Sequence, residues 1–392
     1  MKNVFFKVAV PLLVFSSLAV GTAQAAFTLY EKEGASFSVD GFFNTFYVHS
    51  SSDDEISGVD RDQSRVKMGF LPNFIGFNFN KQLDTMKVGG RSSFWVTIND
   101  SEENVTSTGI DVRQFYGTVE GKWGQILIGK DFGLFCRSNI FLDEILLGYG
   151  NVNNTLGLID GTGVSFGNIG TGYVYPFPNA QITYRTPEWK GLKLAIGIVD
   201  PAHTANNFDT AVVPEENEPQ IQGELTYNYS FESGSVTAWT GFLWQTSEDA
   251  SSNSNVDVDS EGISYGIQAK YANVTLAASG FNASGVGFLL GPGVDSTLGL
   301  PVVDADGDGI DSEGYLVQAS YTYGPARFVA SYGQNKLDSK PDKWKNKTTT
   351  GAVFYTINDH VKVVAEYNVN KISIGSLDEE VDTIALGGII SF

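Results

Sequence analysis

The sequence predicts an all-β chain that closes into a sixteen-stranded antiparallel transmembrane β-barrel. Three observations carry this. Apolar and polar residues alternate with period two down to the last residue, and connections between the alternating segments are short at one rim and long at the other. Beyond the first 25 residues the chain also lacks the roughly 18 consecutive apolar residues that a membrane-crossing helix needs. A chain without such a helix can cross a bilayer only as a closed barrel, because open strand edges find no hydrogen-bond partners in lipid.

The alternation is plainest where Ile263, Tyr265, Ile267, Ala269 and Tyr271 interleave with Ser264, Gly266, Gln268 and Lys270. Leu225, Tyr227 and Tyr229 interleave with Glu224, Thr226 and Asn228, and Tyr315, Val317, Ala319, Tyr321 and Tyr323 with Leu316, Gln318, Ser320 and Thr322. On a strand this puts one class of side chain on each face. Sixteen such segments lie near 35–50, 61–82, 86–99, 111–121, 124–134, 178–187, 191–200, 219–231, 235–248, 260–271, 274–285, 313–323, 327–338, 347–357, 362–374 and 381–392. The turns at 82–85, 121–124, 187–190, 323–326 and 358–360 are short, and longer polar loops separate them. A soluble sandwich has no reason to gather its long loops at one end; a barrel with short periplasmic turns and long outer loops does. Aromatics near segment ends (Tyr227 with Tyr229, Tyr321 with Tyr323, Tyr173 with Tyr175, Trp189, Trp239) suit girdles at the two membrane interfaces.

Residues 1–25 read as a cleaved signal peptide. Lys2 and Lys7 precede an apolar run from Val8 to Val20, and Ala23-Gln24-Ala25 supplies the small-x-small cleavage pattern, so the barrel domain is expected to occupy 26–392. Setting that segment aside leaves 23 basic residues against 45 acidic ones, a charge of 23 minus 45, or −22. Such a balance argues against nucleic acid as a partner and predicts a channel biased towards cations. Aromatics at 13% exclude an acidic disordered chain. Cys136 is the only cysteine, so no internal disulfide forms, and a small buried apolar role suits it.

Several local stretches resemble the trimeric general-diffusion porins of Gram-negative outer membranes. They are Arg113-Gln-Phe-Tyr-Gly117, Gly121-Lys-Trp-Gly124, Ile126-Leu-Ile-Gly-Lys130, Thr183-Tyr-Arg-Thr-Pro-Glu-Trp-Lys-Gly191 and the terminal Gly387-Gly-Ile-Ile-Ser-Phe392. They occur in family order across the whole barrel region. The resemblance implies an outer-membrane location, a homotrimer, contact with outer-membrane lipids and lipopolysaccharide, and recognition of the strand ending in Phe392 by the barrel-assembly machinery. It implies a water-filled lumen for small hydrophilic solutes and a third outer loop folded inward, which here would run from Asp131 to Phe177. That loop carries Ile140, Phe141, Leu142, Ile145, Leu146 and Leu147 beside Asp143 and Glu144, a composition that packs against a wall better than it floats in water.

Such a channel needs no catalytic group; it needs a transverse field. Val66, Met68 and Phe70 take the lipid side by parity, which leaves Arg65 and Lys67 inside, and Arg91 and Arg185 are internal by the same argument. Resemblance to the family's arginine ladder carries Arg65, Arg113 and Arg185 over as the basic wall; Lys67, Arg91 and Lys130 are expected beside it as further pore-lining cations. Asp143 and Glu144 are the expected acidic side, with Asp160 in reserve. The loop offers Leu142-Asp143-Glu144-Ile145 where enteric relatives have Pro-Glu-Phe-Gly-Gly-Asp, and Phe42 stands where they tend to carry a basic residue.

Asp304-Ala-Asp306-Gly-Asp308-Gly309 matches the opening of a calcium loop, but Tyr315 occupies the twelfth position and breaks the full pattern. A flexible acidic loop is the favoured reading, with Ca²⁺ the alternative. A substrate-selective channel, for instance one drawing carboxylates to the arginines, is the close rival for function. An enzyme is disfavoured: His49, His203 and His360 are the only histidines, and no nucleophile arrangement accompanies them. A β-solenoid would show a fixed repeat, and none is visible.

Overall fold

The computed structural model describes residues 26–100, 110–153, 155–156, 165–204, 214–249, 257–297, 300–304 and 307–392. Its strands are β1 Phe27–Lys32, β2 Ala35–Asp54, β3 Arg61–Lys67, β4 Asn73–Gln82, β5 Met86–Val96, β6 Ile110–Gly121, β7 Gly124–Phe132, β8 Pro178–Arg185, β9 Leu192–Val199, β10 Pro214–Glu215, β11 Gln220–Phe231, β12 Gly234–Asp249, β13 Asp257–Tyr271, β14 Val274–Ser284, β15 Asp311–Tyr323, β16 Ala326–Leu337, β17 Trp344–Asn358, β18 Val361–Ile374 and β19 Leu377–Ser391. Two short helices, α1 Arg137–Phe141 and α2 Pro292–Thr297, lie in the third and sixth outer loops.

These segments form one closed barrel of sixteen staves. β3 and β4 pair with successive parts of β2 and together make one stave. The short β1 pairs with the start of β2 along the edge that β19 uses higher up, and β10 extends the row of β11 beside β12. Neighbours are antiparallel throughout, and the last stave β19 pairs with β2 from Glu379↔Asp54 to Ser391↔Phe42. Phe392 completes the seam: its amide and carbonyl pair with Gly41 at 3.0 and 2.8 Å.

All sixteen expected strands are present. The segment expected at 61–82 is interrupted at 68–72, where Pro72 has no amide to give the ladder. There the side-chain amide of Asn44 donates to the Leu71 carbonyl at 2.7 Å, and the Asn44 amide donates to the Asn73 side-chain oxygen at 2.6 Å. A second difference is the last outer connection, expected as a loop over 375–380 but built as a two-residue turn of Gly375 and Ser376. Gly375 takes a left-handed φ of 61°, which glycine adopts without strain.

Parity gives the barrel its two surfaces. Val66, Ile128, Ile182, Leu276 and Ile390 are 55–64% exposed on the outside, while Leu127 and Thr183, one residue away from two of them, are buried within. An apolar belt of that kind is a defect in water and the required surface in lipid. Trp189, Tyr271 and Tyr323 form an exposed aromatic girdle near the short turns. Tyr173, Tyr175 and Trp239 do not belong to it: the tyrosines lie on the inward loop, and the Trp239 indole points inside, donating to the Asn139 side-chain oxygen at 2.8 Å.

Candidate functional site: the constricted lumen

The third loop leaves β7 at Gly133 and crosses the barrel interior before returning to β8. Lumen side chains hold it by its backbone. Gln222 Oε1 accepts the Leu134 and Phe135 amides at 2.6 and 3.0 Å, and Glu224 accepts the Ser138 amide at 2.9 Å. Farther round, the Glu366 carboxylate accepts the Tyr149 and Gly150 amides at 2.9 and 2.6 Å, and Glu379 accepts that of Thr155 at 2.9 Å. Buried amides need such partners, so each wall carboxylate or amide fixes one point of the loop's course.

The sixth outer loop, 285–310, also folds in, which the sequence reading did not anticipate. Phe288 and Leu289 are fully buried, the Tyr175 amide donates to the Leu289 carbonyl at 2.9 Å, and Asn335 donates to that of Phe288 at 2.7 Å. Asp295 ties this loop together by accepting the amides of Phe288, Leu289 and Leu290 at 2.9, 2.9 and 2.6 Å. Burial pushes its carboxyl up to about 7 although the three amides oppose the shift. The loop's apolar content, Val286, Phe288-Leu-Leu290, Leu300 and Val302 among it, was the available signal.

The arginine side is built from adjacent staves. Arg65 and Lys67 point inside, opposite Val48 and Phe46, and both donate to the Asp100 carbonyl, at 2.7 and 3.3 Å. Arg65 has no carboxylate partner among the described residues. Arg91 grips Asp40 with both terminal nitrogens, at 2.7 and 2.9 Å, and donates through Nε to Gln114 at 2.9 Å. Arg185 lies 3.6 Å from the Asp131 carboxylate, which also receives Gln114 at 2.9 Å and Arg137 at 3.2 Å. Arg137, on the loop itself, was not among the expected residues.

Arg113 reaches the lumen by a route that parity alone forbids. Phe115, two residues on, is 60% exposed outside. Between them the ladder slips: Gln114 pairs with Ser93 and Val112 with Phe94, so Arg113 is the extra residue of a β-bulge. Its Nε donates to Asp111 at 2.7 Å, its Nη1 donates to the Tyr175 hydroxyl at 3.0 Å, and the guanidinium lies 5.1 Å from the Trp95 ring centre. The signal was legible, since the apolar positions Ile110, Val112 and Phe115 change spacing from two to three.

Lys130 is a correction. It pairs with Phe115 on one side and Ala180 on the other and follows Ile126 and Ile128 on the outward face, so it does not line the pore. The acidic residues of the loop do not face the arginine side either. Asp143 is buried and receives Tyr173, Gln318 and Asn168 at 2.6, 2.6 and 3.0 Å. Glu144 pairs with Arg327 at 2.8 Å and receives Ser320 at 2.8 Å and Gln268 at 3.0 Å on the far wall. Asp160 and Asp306 lie outside the described residues. Asp304 accepts the Asp308 amide at 3.0 Å, an internal turn of the outer loop. Among the described residues no group of three or more His, Cys, Asp and Glu side chains is arranged to hold a metal.

Among the described residues, Arg65, Lys67, Arg91, Arg113, Arg137 and Arg185 thus stand with Asp40, Asp100, Asp111, Asp131 and the Glu224 that holds the loop beside Arg137, six cations against five carboxylates. The chain's acidic excess sits partly outside the pore: Asp53, Asp62, Glu380 and Asp382 point outward at the outer rim.

A closed barrel with a lipid-facing apolar belt, a charged lumen and an inward loop defines a transmembrane diffusion channel. The chain belongs to the Gram-negative porin family, whose model matches residues 9–373, and it is an outer-membrane channel for passive diffusion. Members of this family are channels rather than enzymes. Its fold is similar to the anion-selective porin from Comamonas acidovorans, at 13% identity and a TM-score of 0.63, covering 91% of this chain and 100% of that one. It is also similar to the outer membrane channel DcaP of Acinetobacter baumannii (17%, TM-score 0.67, covering 93% and 100%). A third similar structure is Salmonella typhi OmpF in complex with daunomycin (16%, TM-score 0.57, covering 92% and 100%). No curated protein matches the chain.

Proposed function

We propose that this porin passes small hydrophilic solutes and, at its narrow level, favours anions over cations, small carboxylates included. One observation carries the reading: the carboxylates of the inward loop, Asp143 and Glu144, are bonded to the far wall and leave the Arg65–Arg113 side without an acidic counterpart from the described part of that loop. An unbalanced positive wall raises the local anion concentration and lowers that of cations. The cation bias expected from net charge gives way here because charge outside the lumen acts through water and salt, whereas charge at the constriction acts at contact distance. The fold likeness to an anion-selective porin agrees with this reading. Liposome swelling tests the solute class: rates for small carboxylates should exceed those for uncharged solutes of equal size, and rates falling with size alone would remove the preference. The working assembly is proposed to be a homotrimer, which electrophoresis without boiling checks.

A further inference from the structure

The arginine side is accompanied by a continuous strip of aromatic rings. Phe42 stacks on Phe74 with centroids 5.9 Å apart, Phe74 meets Trp95 at 4.6 Å, and Trp95 meets Phe132 edge-on at 6.1 Å. Phe132 in turn touches Phe141 at 5.3 Å and Tyr175 at 6.1 Å. Four rings come from the wall strands β2, β4, β5 and β7 and two from the inward loop, so the strip crosses the junction between wall and loop.

Anchoring the loop accounts for only part of it. Phe42, Trp95 and Phe132 are buried and serve as packing, but Phe74, Phe141 and Tyr175 remain half-buried on the inner side. Other apolar side chains, Phe46, Leu316 and Phe354 among them, also pack inside the barrel, but passing salt and small polar solutes does not call for half-buried ring surface beside a row of cations. The rings also come with cations. Arg91 lies 5.8 Å from the Phe74 ring centre, Arg137 lies 5.0 Å from that of Phe141, and Arg113 stands near both Trp95 and Tyr175, at 5.1 and 5.9 Å. Arg113 uses Nε for Asp111 and Nη1 for Tyr175, and its Nη2 makes no hydrogen bond among the described residues.

We infer that this strip is a subsite for planar aromatic carboxylates, of which benzoate is the simplest. The ring of the solute stacks on Phe74 and Tyr175, and its carboxylate accepts a charge-assisted bond from Arg113 Nη2. An aliphatic carboxylate has the charge without the ring, and benzamide has the ring without the charge, so each makes half of the contact. The inference rests on the anion preference proposed above and adds a solute class to it.

The test is planar-bilayer recording of the purified full-length protein in KCl with added benzoate, acetate or benzamide. Benzoate should reduce the chloride current saturably, at concentrations at least several-fold lower than either comparison solute. Phe74→Leu keeps bulk but removes the π-face and should raise the half-blocking concentration about three- to tenfold; Arg113→Gln should do the same. Benzoate behaving like acetate in the unaltered protein overturns the subsite, whatever the variants do. The reversal potential in a KCl gradient reads the anion preference separately. If anions are preferred but benzoate does not saturate, the subsite alone falls; if cations are preferred and benzoate still saturates, the subsite stands and the field reading falls.

Discussion

Arg113 Nη1 donates to the Tyr175 hydroxyl at 3.0 Å, joining a bulge in the barrel wall to the returning arm of the third loop. The bond fixes the guanidinium at the junction where wall and loop meet, and it holds the loop's exit against β6. Tyr175→Phe removes the hydroxyl and keeps the ring. A hydrogen bond to a charged group contributes about 1.5–3 kcal/mol, so the arm should loosen and single-channel records should show more open-channel noise. Unchanged noise would mean that packing alone holds the arm.

The bulge itself predicts which side each residue faces. Arg113→Cys should react with a membrane-impermeant charged thiol reagent and reduce the current, whereas Val112→Cys and Lys130→Cys should leave the current unaffected. Native Cys136 is fully buried and should stay silent. A current change at Lys130→Cys with none at Arg113→Cys would reverse the assignment of both strands.

Glu366 positions the inward loop through the Tyr149 and Gly150 amides. Glu366→Ala strands two buried donors at a cost of about 2–6 kcal/mol, enough to release that part of the loop. Conductance should rise and the third loop should become cleavable by added protease. Equal conductance and equal protection would show that the loop is held elsewhere.

The sixth loop should dock in a pH-dependent way. Burial raises the Asp295 carboxyl from its ordinary 3.8 to about 7. A docked loop therefore holds the proton more tightly than a released one. Docking strengthens as pH falls from about 7 towards 4, and the full penalty of the buried charge applies above 7. Cleavage within 285–310, normalised to the denatured chain, should be slower at pH 5 than at pH 8, and Asp295→Asn should abolish the difference. Faster cleavage at pH 5 would contradict the sign.

The sixteen staves and most of their lipid faces were legible in the sequence because a period of two is a local property that one residue type after another repeats. Met68 and Phe70, expected on the lipid side, are instead buried inside where the strand breaks, with the Phe70 amide on the Gly148 carbonyl of the inward loop. Departures from the period were partly legible: Pro72 marks the break in the second stave, and the spacing Val112 to Phe115 marks the bulge. Lys130 shows the rule overriding the expectation of a pore-lining cation, since it continues the outward series of Ile126 and Ile128. What the acids of the third loop would touch was not legible, because Asp143 with Gln318 and Glu144 with Arg327 are contacts between residues about 180 positions apart. No local pattern encodes which wall a crossing loop meets.

The sign of the field at the constriction decides which ions the channel prefers. The measurement that tests it most directly is the reversal potential of the purified channel across a roughly tenfold KCl gradient, compared between the unaltered protein and Arg113→Gln. A potential of chloride sign is expected, shrinking in the variant, since one charge removed at close range changes the permeability ratio by about fivefold, or ~1 kcal/mol. A potential of potassium sign in the unaltered protein would contradict it.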